Sequence, residues 1–133
     1  MRMIVRGSPR FVAASSDGDI WCMGQLGVAA MLVGVAESAL ALSVEYAKVR
    51  ETFGRKIGTY QSLKHACSEI LVGLERTRSH VYHAATLIAA EEDAEIALRM
   101  AKVEAGDSMV FAGDRAVQFH GGFGFTWACD AQL

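Results

Sequence analysis

The segment over residues 50–57 carries side chains that could bind a phosphate-bearing ligand. It reads R-E-T-F-G-R-K-I. Arginine presents a planar fork of donors that matches phosphate oxygens. Gly54 permits a sharp backbone turn, and Phe53 offers a flat apolar surface. Two interpretations stay open at this point. Arg50 and Thr52 face a phosphate, or Arg50 only stabilises the negative C-terminal end of a long helix.

A second glycine-containing segment follows much later and reads Gln118-Phe-His-Gly-Gly-Phe-Gly-Phe125. Its glycines either stop a helix or let backbone N–H groups approach a ligand that side chains would block. The segment is neither a dinucleotide-binding fingerprint nor a P-loop, because it has no lysine and no strand is predicted before it.

Metal and nucleophile chemistry find little support in the sequence. No glutamate is followed by a histidine three residues later, which is the pairing that di-iron bundles use. His80 and His83 share a helical face without carboxylates at ligand spacing, so we predict no metal site. The three cysteines form no C-x-x-C pair, which favours neither zinc nor disulfides. We therefore expect buried free thiols in a reducing compartment and a cytoplasmic protein.

Three long helices are the elements that must position these segments. The only proline among the 133 residues is Pro9, and proline is costly inside a helix. We predict helices over about 20–51, from a Thr59 cap to about 90, and over about 94–119, where His120-Gly-Gly122 ends the last one. The residues Ser16-Asp-Gly-Asp19 supply capping side chains before the first helix.

The predicted fold class is therefore all-α, an up-and-down bundle of three long helices plus the start of a fourth. Residues 1–19 are expected to be an irregular N-terminal segment and residues 20–133 a bundle that is incomplete at its C-terminus. Steps of three and four residues define the predicted inward faces. These are Leu26, Ala30, Val33, Ala36, Leu40 and Val44, then Leu63, Cys67, Ile70, Leu74, Thr77, Val81, Ala84 and Ile88, and then Ile96, Met100, Val103, Val110 and Val117.

Charge and hydropathy exclude some partners. The net charge is −2 and 52% of the residues are apolar, which argues against a disordered tail and against a nucleic-acid binder. The apolar stretch Leu26–Leu42 has 17 residues, the lower limit for a membrane span. It contains Glu37 and runs into further charges. We predict a buried core helix and no membrane partner, with a membrane anchor as the weaker alternative.

Taken together, the motifs resemble the C-terminal helical domain of the acyl-CoA dehydrogenases. The resemblance rests on G-V-A-E-S-A-L over 34–40, E-Y-A-K-V-R-E-T-F-G-R-K-I over 45–57, Gln61 and His65, and A-V-Q-F-H-G-G-F-G-F-T-W over 116–127. It covers about four-fifths of the chain. The pair R-x-x-F-G and Q-x-x-G-G at this separation is specific. The ending G-F-T-W is similar to a branch that acts on bulky or steroid-derived thioesters.

The resemblance implies a function and a set of site residues. The family uses FAD to oxidise the Cα–Cβ bond of an acyl-CoA, usually as a tetramer, and passes electrons to an electron-transfer flavoprotein. In the family, FAD is shared with a neighbouring subunit or with the domains that this chain lacks. By motif position, the residues that contact FAD are Arg50, Thr52, Phe53, Gln61, Gln118, Gly121 and Gly122. A homo- or hetero-oligomer is expected, with acyl-CoA as the substrate of the complete enzyme.

Departures from the family pattern separate this chain from a complete enzyme. Gly24 stands where some members carry the catalytic acid, Gln25 where a basic residue often follows, and Ala128 where the branch has glutamate. No carboxylate inherits the catalytic role, so no catalytic residue is assigned. The leading interpretation is a domain that contacts FAD and forms subunit interfaces without catalysing alone. The alternative is a non-enzymatic helical interaction subunit that kept the fold and lost the cofactor.

Overall fold

The structure, a computed structural model, describes residues 17–132. Three helices dominate it: α1 (Asp17–Val49), α2 (Gln61–Ala89) and α3 (Glu95–His120). Between α1 and α2 lie the short strands β1 (Glu51–Thr52) and β2 (Arg55–Lys56) and a 3₁₀ turn, Ile57–Thr59. Two further 3₁₀ turns follow α3, Gly121–Phe125 and Asp130–Gln132. The predicted all-α bundle is confirmed.

The helix boundaries differ from the prediction by a few residues, and α1 ends at Val49 rather than near residue 51. Helix α1 already includes Asp17, so its start precedes the predicted Ile20, and the proposed capping residue Ser16 lies outside the described residues. Helix α2 begins at Gln61, and the Thr59 cap was wrong. The Thr59 hydroxyl donates to the carbonyl of Lys56 and so closes the 3₁₀ turn. The helix α3 extends one residue further, to His120.

The core runs the length of the bundle, with α1 and α3 parallel and α2 antiparallel to both. One layer joins Leu26 and Ala84 to Leu98, and a second joins Ala36 and Leu74 to Ala112; the middle layer contains Ala29, Ala101 and Ala105. Small alanines let three helix backbones approach closely. The predicted face of α2 is confirmed, because Ile70, Leu74, Thr77 and Ala84 are buried.

The predicted inner face of α3 was wrong. Ile96 is 73% exposed, and Met100, Val103 and Val110 are also exposed. The buried face consists instead mainly of small residues, with one leucine and the terminal histidine: Ala97, Leu98, Ala101, Ala105, Ser108, Ala112, Ala116 and His120. Larger side chains on that face would hold α1 and α2 apart, so the apolar stripe turns outward.

Helix α1 is only partly buried, which corrects the prediction of a buried core helix. Leu26, Ala29 and Ala36 are buried, whereas Trp21 and Met31 are exposed. Only 17% of its most apolar window is buried. By length and composition, Ile20–Val49 could cross a membrane, although a core helix of a soluble protein passes the same test.

A buried hydroxyl pair fixes the pairing of α2 with α3. The Thr77 Oγ1 lies 2.8 Å from the carbonyl oxygen of Gly73, 3.2 Å from that of Glu104 and 2.9 Å from the Ser108 Oγ. A buried polar group is costly unless it is hydrogen-bonded. These contacts therefore favour this pairing of the two helices over a shifted one.

Candidate functional site

A ring stack brings the two predicted ligand-binding segments to the same end of the bundle. The rings of Tyr46 on α1 and His120 on α3 stack with centroids 4.1 Å apart. Arg50 follows Tyr46 by one helical turn and donates its backbone N–H to the Tyr46 carbonyl at 2.9 Å. Gly121 follows His120 directly. The C-terminal ends of α1 and α3 therefore present R-x-x-F-G and Q-x-x-G-G side by side.

The R-x-x-F-G segment forms a tight hairpin that the sequence analysis did not predict. Glu51 pairs with Lys56 and Thr52 with Arg55, so Phe53 and Gly54 make a two-residue turn. Both have positive φ, 52° and 75°, as type I′ hairpin turns require. The sequence signal was only the glycine at the second turn position. The turn places Phe53 at the tip, where it is 97% exposed.

Tyr60 holds the base of this hairpin. The Arg55 guanidinium lies 4.0 Å from the centroid of the Tyr60 ring, a cation–π arrangement. The Tyr60 hydroxyl donates to the Thr52 carbonyl at 3.4 Å. The neighbouring Arg55 side chain is the main cause that lowers the pKa of the Tyr60 phenol. These contacts hold the backbone of Thr52 and leave the Arg50 side chain out of the hairpin.

Arg50 presents an exposed positive charge at this end of the bundle. Its side chain is exposed, and it takes part in none of the ion pairs formed between residues 17 and 132. Its carbonyl accepts the N–H of Ile57 at 2.9 Å, which anchors its backbone. A guanidinium on an anchored backbone with no carboxylate partner is available to an anion.

The second segment begins where the helix α3 stops. The Nδ1 atom of the buried His120 lies 2.7 Å from the Ala116 carbonyl oxygen. Gly121 then adopts φ 58° and ψ −138°, at the edge of a backbone region that is essentially restricted to glycine. Gly121 and Gly122 are exposed, and an added Cβ at either would meet no atom within 4 Å. Their backbone is open to a ligand.

The remaining predicted residues flank these two segments. Gln61 is the first residue of α2 and is exposed, and Gln118 is exposed in the last turn of α3. Sequence reasoning missed Tyr46 and His120 as the contact that joins the two segments. The available signal was position, because Tyr46 lies one helical turn before Arg50 and His120 directly precedes the Gly121–Gly122 pair.

The site offers a guanidinium, a threonine, two glutamine amides, open backbone and an aromatic tip. Such a set suits a ligand with phosphates and a flat ring system, which describes a flavin dinucleotide. Across residues 17–132 no group of three or more histidine, cysteine, aspartate or glutamate side chains is placed to hold a metal ion. Gly24 lies on α1 more than six turns from Arg50.

The fold and these motifs define the C-terminal helical domain of a flavin-dependent dehydrogenase. The family model for the acyl-CoA dehydrogenase C-terminal domain matches residues 22–132. The chain therefore belongs to the acyl-CoA dehydrogenase family, and the resemblance stated from the motifs is confirmed.

Two curated relatives are much longer than this chain. The CarC subunit of the caffeyl-CoA reductase–Etf complex of Acetobacterium woodii is 36% identical over 77% of this chain and 27% of its own length. The acyl-CoA dehydrogenase FadE34 of Mycobacterium tuberculosis is 34% identical over 99% of this chain and 19% of its own length. The chain thus spans about a quarter or less of these relatives.

A solved structure supports the same assignment. Butyryl-CoA dehydrogenase from Megasphaera elsdenii superposes with a TM-score of 0.81 and 32% sequence identity. The match covers 84% of this chain and 29% of the other. The three-helix arrangement is therefore one domain of a larger architecture in that relative.

Proposed function

We propose that this chain is the domain of an acyl-CoA dehydrogenase that contacts FAD and forms subunit interfaces, and that it does not catalyse alone. The stacking of Tyr46 on His120 at 4.1 Å carries the proposal. It places the unpaired guanidinium of Arg50 and the open backbone of Gly121 and Gly122 at one end of the bundle. In the complete protein the substrate would be an acyl-CoA thioester.

Each site residue then has a role that its chemistry supports. Arg50 binds the pyrophosphate and Thr52 adds a hydroxyl donor, while the ring of Phe53 covers an aromatic portion of the cofactor. Gly121 and Gly122 admit the cofactor to within hydrogen-bonding distance of the backbone, and Gln61 and Gln118 donate amide hydrogens. Bound FAD supplies the hydride acceptor for α,β-oxidation. The chain contributes only part of this binding site, because it spans about a quarter or less of the longer relatives.

An FAD titration tests the role of Arg50. Flavin fluorescence of the purified chain should show saturable binding, and Arg50→Ala should weaken it by roughly tenfold or more, since hydrogen bonds to charged groups contribute about 1.5–3 kcal/mol. Arg99→Ala is the matched control, because Arg99 is exposed and paired with Glu95 near the other end of α3. Unchanged FAD affinity in Arg50→Ala would remove the proposed role of Arg50. A folded parent chain that shows no saturable FAD binding would favour the interaction subunit instead.

The proposed interface lies on the exposed apolar residues of α1 and α3. Val28, Met31 and Val35 on α1 and Met100 and Val103 on α3 are exposed, and grouped exposed apolar side chains are typical of an interaction face. We expect a homo- or hetero-oligomer. Met100→Lys with Val103→Lys should lower the mass measured by light scattering. Ser79→Lys, at an exposed position of α2, should leave it unchanged.

An electron-transfer flavoprotein is the proposed redox partner of the complete protein. The support is the similarity to a subunit of a caffeyl-CoA reductase–Etf complex. We also propose a cytoplasmic location; the three free cysteines are its only support.

A further inference from the structure

A groove lies between α1, the hairpin and α2, apart from the predicted FAD-contacting residues. It encloses about 600 Å³, within the size range of small-molecule sites. We name it the lysine groove; it is lined by Val44, Ala47, Lys48, Lys56, Gly58, Thr59, Leu63, Lys64, Cys67 and Ser68. None of the seven predicted FAD-contacting residues is among them.

The floor of the lysine groove is apolar. Val44 and Ala47 come from α1, and Leu63 and Cys67 come from α2. Burial raises the pKa of the Cys67 thiol, which indicates poor hydration at this point. Gly58 completes the floor, because an added Cβ there would lie 2.8 Å from the Ala47 carbonyl oxygen. Such a floor suits an alkyl or aryl group.

The rim of the same groove is cationic. Lys48, Lys56 and Lys64 line it, and no acidic residue is among its lining residues. Lys48 is paired with Glu45 at 2.5 Å. Lys56 and Lys64 take part in none of the ion pairs of the described chain. Lys64 also lies in the first turn of α2, where the helix dipole is positive and no side chain caps the helix.

We propose that the lysine groove binds an amphipathic anion, with a carboxylate or phosphate head at Lys56 and Lys64 and an apolar tail on the floor. Charge complementarity selects the head, since two unpaired ammonium groups face a space without a carboxylate. The apolar floor selects the tail, because its burial removes apolar surface from water. This site goes beyond the proposed FAD contact and shares no residue with it.

Protection of Cys67 from alkylation tests the proposal on the intact chain. N-ethylmaleimide labelling is quantified for each cysteine by peptide mass spectrometry. The half-buried Cys22, on α1 outside the groove, is the internal control. The probes are dodecyl phosphate, dodecanoate, inorganic phosphate and dodecyltrimethylammonium, each below its micelle concentration. At ten times Kd, the two anionic amphiphiles should slow Cys67 labelling about tenfold, because only about a tenth of the sites stay free.

Lysine variants identify the part of the groove that binds the head group. Lys56→Gln and Lys64→Gln should each raise the Kd about two- to fivefold, as expected for partly exposed charge pairs. Lys102→Gln should leave it unchanged, because Lys102 lies on α3, 5.9 Å from the centroid of the Trp21 ring. Circular dichroism checks that each variant retains its helicity.

Several results would overturn the proposal. Equal protection by dodecyltrimethylammonium would show that only the apolar tail matters. Equal protection by inorganic phosphate would show that the tail is not bound. Slowing of Cys22 together with Cys67 would indicate a general surfactant effect. Absence of protection, or unchanged affinity in both lysine variants, would remove the site.

Discussion

The two glycines after α3 should respond differently to alanine substitution, and this pair is the sharpest test of the site. Gly121 has φ 58° and ψ −138°, whereas Gly122 lies outside the positive-φ region. An added Cβ at either position would meet no atom within 4 Å. Gly121→Ala therefore differs from Gly122→Ala in backbone strain and not in steric contact.

The expected cost follows from that conformation. Holding a non-glycine residue in a sparsely populated backbone region costs about 1–3 kcal/mol. Gly122→Ala adds no backbone strain, so its effect on the free energy of unfolding should stay within about 0.5 kcal/mol, as for other surface substitutions. Urea unfolding followed by circular dichroism measures both. With a slope of about 2 kcal/mol per molar urea, Gly121→Ala should lower the midpoint by about 0.5–1.5 M.

The same two variants distinguish the effect of backbone strain on stability from the effect of an added methyl group on FAD binding. If the backbone at Gly122 contacts FAD, Gly122→Ala should weaken FAD binding while leaving the urea midpoint unchanged. The reasoning on strain is refuted if both variants unfold at the same urea concentration. The reasoning on approach is refuted if Gly122→Ala binds FAD as tightly as the parent chain.

Three further outcomes follow from the packing. Thr77→Val keeps the side-chain volume but removes the hydroxyl that contacts Gly73, Glu104 and Ser108, so urea unfolding should show a loss of about 1–2 kcal/mol; no loss would mean that the hydroxyl pair does not stabilise the bundle. Gly58→Ala should lower the thermal midpoint, because its Cβ would lie 2.8 Å from the Ala47 carbonyl oxygen, while Gly34→Ala, with open space, should not. Burial raises the pKa of the Cys67 thiol above 9.0 in the folded chain, so the thiol of the unfolded chain ionises first. The free energy of unfolding should therefore fall as the pH rises through 9.0. Cys67→Ala should reduce that fall, and identical pH profiles of the two proteins would contradict this prediction.

Much of the architecture could be predicted from the order of residues. Local features sufficed for this, since each acts within one or two helical turns. They are the near absence of proline, the periodic apolar positions of α2 and the glycines after His120. The two motifs could also be found, because arginine, phenylalanine and glycine at fixed spacing can be recognised in the sequence alone. The hairpin was missed, since its first turn position is Phe53, whereas asparagine, aspartate or glycine at that position would have signalled such a turn.

The sequence by itself determined three helices, their breaks and the residue types available to a ligand. The tertiary structure decided which apolar face of α3 is buried. Helical periodicity is compatible with burial of the stripe through Ile96 and Met100 and also with burial of the alanine face through Ala101 and Ala105. It does not decide which of the two is buried. Close approach of three backbones favours the smaller side chains, so the alanines turn inward. Tertiary packing also placed Tyr46 against His120, 74 positions along the chain, and thereby joined the two halves of the candidate site.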